Sequence, residues 1–158
     1  MRYNTYEEFK RAEEKRVNEC PLFFAFSQTQ LDKALEERHA TVNDIYQISS
    51  ISGAFYLKKD SQAVRDYFEH ETGLEECMKD HDFAVSAFYY EMCNHEYGID
   101  YYQRNWDVLN CFSDFELEYR DDDSFKYYLE QMGHPEWLPW YKEARVQYYK
   151  AAKENEWF

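Results

Sequence analysis

The segment Ile45–Lys59, with the sequence IYQISSISGAFYLKK, separates an α+β fold from an all-helical one. Its β-branched and aromatic residues are typical of strands, and Gly53 supplies a turn residue within it. The segment therefore predicts two short strands or a hairpin. The apolar run Leu22–Phe26 predicts a further, buried strand, and the alternation of apolar and charged residues over 115–120 predicts another.

Helices are predicted on both sides of these strands. Thr5 begins the first of them, with Glu8 three residues later as in a capping box, and Ser27 begins the second, with Gln30 in the reciprocal position. The predicted helices cover residues 5–19 and about 28–38, begin at Ser61, at Asp82 and at Ser124, and end with one over about 138–154. Gly98 and Gly133 are expected to end the helices that begin at Asp82 and Ser124, and residues 104–112 are a candidate short helix.

The sum of these elements is an α+β fold. It contains about six helices packed on a small sheet of three or four short strands. No linker rich in Gly and Ser divides the chain, and 158 residues fit a single domain covering residues 1–158.

The composition predicts a folded protein inside the cell. Hydrophobic residues make up 44% of the chain and aromatic residues 20%, which is too much ring surface for a disordered chain. No run of about 18 apolar residues occurs, so we expect no membrane span and no membrane partner. The N-terminal sequence MRYNTYEEFKRAEEKR lacks the apolar stretch of a signal peptide. We therefore expect the four cysteines, Cys20, Cys77, Cys93 and Cys111, to be reduced thiols.

The negative charge is concentrated in the middle of the chain. Net charge is −14, and residues 60–131 hold 19 acidic and five basic residues, whereas the two flanking regions are each neutral. Such a field repels nucleic acid and anionic membranes and attracts cationic protein surfaces. The alternative is a solvated acidic face that serves only solubility.

One acidic stretch could imitate a nucleic-acid backbone. Alternate strand residues lie about 6.6–6.8 Å apart, and successive phosphates of a DNA strand, with a rise of about 3.4 Å, have a comparable separation. The candidate partner-binding residues are Asp100, Asp107, Asp114, Glu116, Glu118, Asp121, Asp122 and Asp123. The alternative is that Asp121–Asp123 only form a loop and cap the helix at Ser124.

Paired tyrosines add to this hypothesis. In Tyr127–Tyr128 and the other adjacent pairs, one ring can face the core and the other the surface. Exposed tyrosines beside carboxylates make a good protein-binding surface, although an outer ring can also simply cover the edge of the core.

A second group of residues allows a chemical alternative. Glu91, Cys93, His95 and Glu96 stand close together, with Glu91 four residues before His95. A catalytic interpretation makes Glu91 or Glu96 the base and His95 the acid. A metal interpretation uses Cys93 and His95 with the distant Cys77 or Cys111, although Cys93 and His95 point to different faces of a helix.

The favoured interpretation of this group is structural. A partly buried hydrogen-bonded network of His, Glu and Tyr would close the helix onto the sheet. No phosphate-binding glycine loop, dinucleotide fingerprint or hydrolase nucleophile motif occurs. We accordingly predict no enzyme activity and no cofactor.

Two segments carry a resemblance to a known family. PLFFAFSQTQLDKAL (21–35) and AFYYEMCNHEYGIDYYQRNWDVLNCF (87–112) resemble a family of small uncharacterised proteins of Firmicutes and their phages. The resemblance implies a mobile-element setting and a place in the cytoplasm of a bacterial host. Small acidic proteins of that setting include anti-CRISPR and antirestriction inhibitors, to which the chain is similar in size and charge.

The leading functional hypothesis is therefore an acidic inhibitor of a nucleic-acid-handling enzyme. Its acidic middle would occupy the cationic channel of a basic nucleic-acid-binding protein, such as a CRISPR effector nuclease. The first alternative is a small metal-binding or hydrolytic enzyme centred on Glu91, Cys93, His95 and Glu96. The second is an accessory or structural protein of a phage or mobile element.

Overall fold

The computed structural model describes residues 3–97, 105, 107–112 and 121–157. Seven α-helices and three β-strands lie within this part of the chain. In chain order they are α1 (Tyr6–Glu19), β1 (Phe23–Phe24), α2 (Gln28–Glu37), β2 (Ile45–Gln47), β3 (Ala54–Leu57), α3 (Ser61–Glu69), α4 (Leu74–Cys77), α5 (His81–Asn94), α6 (Asp122–Met132) and α7 (Trp137–Glu154). The α+β fold class is confirmed, and the described residues form seven helices where about six were predicted.

The chain divides into two compact units. The first, here called the helical unit, comprises residues 1–11 and 72–158, and the second, the sheet unit, comprises residues 12–71. The boundary falls inside α1. The expectation of a single domain stays a prediction.

The sheet unit contains the predicted hairpin. Strands β2 and β3 pair antiparallel, and β1 adds to the other side of β3, which gives the order β1-β3-β2. Gly53 enters β3 with a φ of +70°, in the left-handed region that glycine adopts without strain. A Cβ at Gly53 would lie 2.6 Å from the Phe26 ring and 2.9 Å from the carbonyl oxygen of Ala25, so the close approach of the residues that follow β1 also favours glycine.

The strand predicted over Leu22–Phe26 is shorter and less buried than expected. Only Phe23–Phe24 form β1, and Phe23 is buried whereas Phe24 and Phe26 are exposed. A strand at the edge of a small sheet buries one face, because successive side chains point to opposite sides. The further strand predicted over 115–120 lies outside the described residues.

The helical unit is built around aromatic side chains. Phe88 of α5 lies at its centre, with edge-to-face contacts to Phe112, Trp137 and Tyr141 at centroid distances of 5.1–5.6 Å. Helices α5 and α7 share the most extensive packing. The predicted stripe of α7 is confirmed, since Tyr141, Ala144, Tyr148 and Ala152 are all buried.

Two of the predicted helix starts are confirmed with an altered reciprocal bond. The hydroxyls of Thr5 and Ser27 accept hydrogen bonds from the backbone N–H groups of Glu8 and Gln30. The side chains of Glu8 and Gln30, however, accept from the residue before the cap in each case, Asn4 and Phe26. Each side chain thereby satisfies one N–H group just before its helix.

Three other helix starts differ from the prediction by one to three residues. Asp80 rather than Asp82 caps α5, because the Asp80 carboxylate accepts from the N–H of Phe83. Asp121 rather than Ser124 caps α6. Ser61, predicted to cap α3, is instead its first residue after the N-cap Asp60, and its hydroxyl donates to the carbonyl of Lys58. Where several capping residues follow one another, backbone conformation selects among them.

Of the two glycines predicted to end helices, one does so within the described residues. Gly133 ends α6 with a φ of +78°, as predicted. Helix α5 ends at Asn94, before Gly98, which lies outside the described residues. Residues 107–109 are helical, within the candidate helix 104–112. Among the described helices, none has the length and apolar character needed to cross a bilayer.

Candidate functional site

Glu91 is the buried carboxylate of the helical unit. It lies in α5 among apolar neighbours and is 1% exposed. The hydroxyl of Tyr6 donates to its Oε1 at 2.7 Å, and the Asn94 amide donates to its Oε2 at 3.1 Å. The Lys10 ammonium lies 3.3 Å from Oε1.

These partners keep Glu91 ionised. Burial raises the pKa of its carboxyl, but the hydrogen bonds from Tyr6 and Asn94 and the charge of Lys10 together hold that pKa below its usual value. Burial, followed by the hydrogen bond to Glu91, raises the pKa of Tyr6, so its hydroxyl remains a donor. An ionised, firmly held carboxylate suits ligand binding better than the donation of a proton.

His95 and Cys111 complete a cluster on the Oε2 side of Glu91. His95 follows the last residue of α5, and its Nε2 lies 3.5 Å from Glu91 Oε2 and 3.5 Å from the Cys111 sulfur. The Cys111 thiol donates to the carbonyl oxygen of Asp107 at 3.3 Å. Burial and the adjacent Glu91 charge raise the pKa of Cys111 to about 12, so it carries its proton at neutral pH.

The structure brings together only part of the predicted chemical group. Glu91 and His95 meet with Cys111, and their three ligand atoms lie within 4.8 Å of one another. Cys93 lies instead beside Tyr89 and packs against the core, and burial raises the pKa of its thiol. Glu96 is exposed, with a φ of +51°.

Cys77 also lies apart from this cluster, near the N-terminal segment. It is buried, and its sulfur accepts from the N–H of Tyr3 at 3.4 Å. The i,i+4 spacing of Glu91 and His95 was visible in the sequence, whereas the approach of Cys111 depends on the turn that follows residues 107–109. Sequence reasoning offered Cys111 only as an alternative to Cys77 and did not predict this turn.

The described partner-binding candidates have different local roles. Asp121 caps α6 by accepting from the N–H of Ser124 at 2.8 Å, and that backbone bond lowers the pKa of its carboxyl. Asp122 pairs with Lys142 of α7. Asp107 is half-buried. The other candidates, Asp100, Asp114, Glu116 and Glu118, lie outside the described residues.

The outer face of α6 combines acid with an exposed aromatic ring. Asp123, Tyr127 and Glu130 follow at i, i+4 and i+7, which places them on one side of the helix, and all three are exposed. Tyr127 is 59% exposed, while Tyr128 is half-buried and packs against the core. This pair therefore shows the predicted division into an inner and an outer ring.

Most of the described acidic residues of 60–131 lie at the surface. Glu91 is the buried one among them, and the rest are exposed or half-exposed. The region has five basic residues for its 19 acids, and Lys10 and Lys142 of the flanking regions also pair with Glu91 and Asp122. The region therefore keeps a large negative excess in the folded protein.

The fold and site define an acidic α+β protein with a buried carboxylate, imidazole and thiol cluster in its helical unit. The model of a family of unknown function (DUF7659) matches residues 5–131, and the chain belongs to that family. No curated protein and no solved structure matches the chain.

Proposed function

We propose that the protein acts by binding, with its acidic surface held against a basic region of a partner protein. The proposal is supported by the negative excess of residues 60–131 and by the surface position of their described carboxylates. Opposite charges raise the rate of encounter between two proteins and select among partners. Catalysis plays no part in this function.

The observation that carries the proposal is the outer face of α6, formed by Asp123, Tyr127 and Glu130. Protein interfaces draw much of their binding energy from a few aromatic side chains surrounded by polar groups. Tyr127 offers an exposed ring between two carboxylates, so it can pack on the alkyl part or over the cation of a partner's Arg or Lys.

We propose a nucleic-acid-handling enzyme as the partner, in the cytoplasm of a bacterial host. Such enzymes bind phosphates with clusters of Lys and Arg, which an acidic protein can occupy. A CRISPR effector nuclease with its cationic heteroduplex channel is the specific example favoured by the resemblance to proteins of phages and their hosts. The protein would then act as an inhibitor that competes with nucleic acid.

The experiment compares four immobilised proteins, the wild type and three variants, in a bacterial lysate at low and high salt. The wild type is expected to retain a basic enzyme at low salt and release it as salt rises, because screening weakens exposed charge pairs. Added duplex DNA should displace the same enzyme. The variant D123K/E130K should lose it, and so should Tyr127→Ala, which leaves the charge unchanged.

The matched control is E14K/E36K, which changes the charge equally at two exposed positions of the sheet unit. It should retain the enzyme nearly as well as the wild type. Equal retention by D123K/E130K and the control would reject the α6 face as the binding surface. Retention that DNA leaves unchanged would reject competition with nucleic acid and favour a structural or accessory role.

A further inference from the structure

We infer that Glu91, His95 and Cys111 bind one zinc ion in the helical unit. This inference is independent of the proposed binding to a partner, which uses the outer face of α6. As in the metal interpretation of the sequence, His95 is a ligand, but Glu91 and Cys111 are its partners and Cys93 is not.

The interatomic distances fit a tetrahedral zinc ion. Bonds of about 2.0–2.3 Å from zinc to N, O and S ligands imply separations of about 3.4–3.6 Å between ligand atoms in a tetrahedron. His95 Nε2 lies 3.5 Å from Glu91 Oε2 and 3.5 Å from Cys111 Sγ. Two edges of the tetrahedron therefore already have the required length.

The ligand types also favour zinc. Zinc accepts imidazole nitrogen, thiolate sulfur and carboxylate oxygen together, whereas calcium and magnesium prefer oxygen alone. Two anionic ligands balance the charge of the dication. Binding releases the proton of the Cys111 thiol to solvent and leaves His95 neutral.

Groups around the carboxylate hold it in a suitable orientation. Tyr6 and Lys10 both contact Oε1 of Glu91, whereas His95 and the Asn94 amide lie against Oε2, so Oε2 is the carboxylate oxygen beside the imidazole ligand. Hydrogen bonds to the distal atoms of ligands are the usual support of metal centres. The Lys10 side chain is 41% exposed and can turn toward water as the cation enters.

The cluster has a route for a metal ion and a free position for a fourth ligand. His95 is 31% exposed and Cys111 is half-buried, so two of the three ligand side chains are partly accessible to solvent. Three protein ligands leave the fourth tetrahedral position to water. Zinc would join the end of α5 to the turn that carries Cys111.

The test uses the full-length protein after chelation, titrated with zinc and with cobalt(II) under reducing conditions. We expect one ion per chain, and visible absorption bands of tetrahedral cobalt bound to a thiolate. Cys111→Ser and His95→Gln should each lower the affinity by more than the ~10–100-fold that supporting residues contribute. Cys93→Ser, the matched control, should bind as the wild type does.

A second measurement uses the wild type alone and does not depend on the folding of any variant. Zinc should protect Cys111 from alkylation, mapped by peptide mass spectrometry, while Cys20 reacts at the same rate with and without zinc. Failure of the wild type to bind either ion, or equal zinc affinity in Cys111→Ser, would overturn the inference. Protection of Cys93 instead of Cys111 would do the same.

Discussion

The Tyr6 hydroxyl and the Glu91 carboxylate form a buried hydrogen bond of 2.7 Å, although 85 residues separate them in the chain. The bond joins the first turn of α1 to the inner face of α5. A buried charge is costly unless it is paired and hydrogen-bonded, and Tyr6, Asn94 and Lys10 together meet that condition for Glu91. The site is thus assembled from the start of the family-matched region and a segment about 85 residues further along the chain.

Tyr6→Phe should destabilise the protein by about 1.5–3 kcal/mol, because a hydrogen bond to a buried charged group is lost. Urea denaturation followed by circular dichroism measures the change. Tyr127→Phe, which alters a 59% exposed ring, is the control and should have nearly no effect. Equal stability of Tyr6→Phe and the wild type would show that this bond contributes nothing to folding.

The substitution Asn105→Ala should lower the free energy of unfolding more than removal of either tyrosine hydroxyl that Asn105 binds. The buried Asn105 Oδ1 accepts hydrogen bonds from Tyr97 at 2.7 Å and from Tyr141 at 2.6 Å. The substitution removes one acceptor from two buried donors, at about 1–3 kcal/mol for each, whereas Tyr97→Phe or Tyr141→Phe should cost about 1 kcal/mol.

A double-mutant cycle by chemical denaturation measures this dependence. In the Asn105→Ala background, Tyr141→Phe should cost less than it does in the wild type, because the hydrogen bond to Asn105 is already gone. Strictly additive costs would contradict the shared network.

Gly53→Ala and Gly133→Ala form a matched pair. Both glycines have a φ in the left-handed region, but a Cβ at Gly133 has no heavy atom within 4 Å, whereas one at Gly53 would lie 2.9 Å from the Ala25 carbonyl oxygen. We expect the free energy of unfolding to fall by about 1 kcal/mol in Gly133→Ala and by about 2–4 kcal/mol in Gly53→Ala. Thermal denaturation of both variants tests the difference, and equal losses would show that β1 shifts without cost.

The stability contributed by His81 should depend on pH. The two ring nitrogens of His81 form hydrogen bonds of 2.8 Å with the carboxylates of Asp82 and Glu143. These hydrogen bonds, of which the one to Asp82 has the larger effect, raise the pKa of His81 above its ordinary value of 6.5. The contribution is therefore fully present below pH 6.5 and is lost as the pH rises through the raised pKa.

Denaturation of the wild type and His81→Gln between about pH 5 and 9 tests this dependence. The free energies of unfolding of the two proteins should converge as the pH rises. Glu143→Gln should reduce the separation at acid pH, since one partner of the imidazolium is gone. A separation that is constant across the range would refute the linkage.

Local sequence predicted the parts of this fold that depend on local chemistry. The hairpin around Gly53 and the helix caps at Thr5 and Ser27 arise from neighbouring residues, so short patterns suffice to find them. Where two or three capping residues compete, as at Asp80 and Asp82, the pattern misplaced the start. The backbone entry into the helix, which packing determines, made that choice.

The sequence pattern predicted only part of the candidate site, for a similar reason. Glu91 and His95 share a helix end, so their spacing showed that they could meet. Cys111 stands 16 residues after His95 and reaches it through a turn, and no periodic pattern reports such an approach. Cys93, although nearer in sequence, points to another side of α5 because successive helical residues are rotated by about 100°.

The order of residue types along the chain was enough to predict the fold class, the helical periodicity and the concentration of negative charge in residues 60–131. The folded chain was needed to show that Tyr6, Glu91, His95 and Cys111 share one site and that Asp123, Tyr127 and Glu130 remain at the surface. Burial and contact between distant residues depend on how whole elements pack, and no local pattern contains that information.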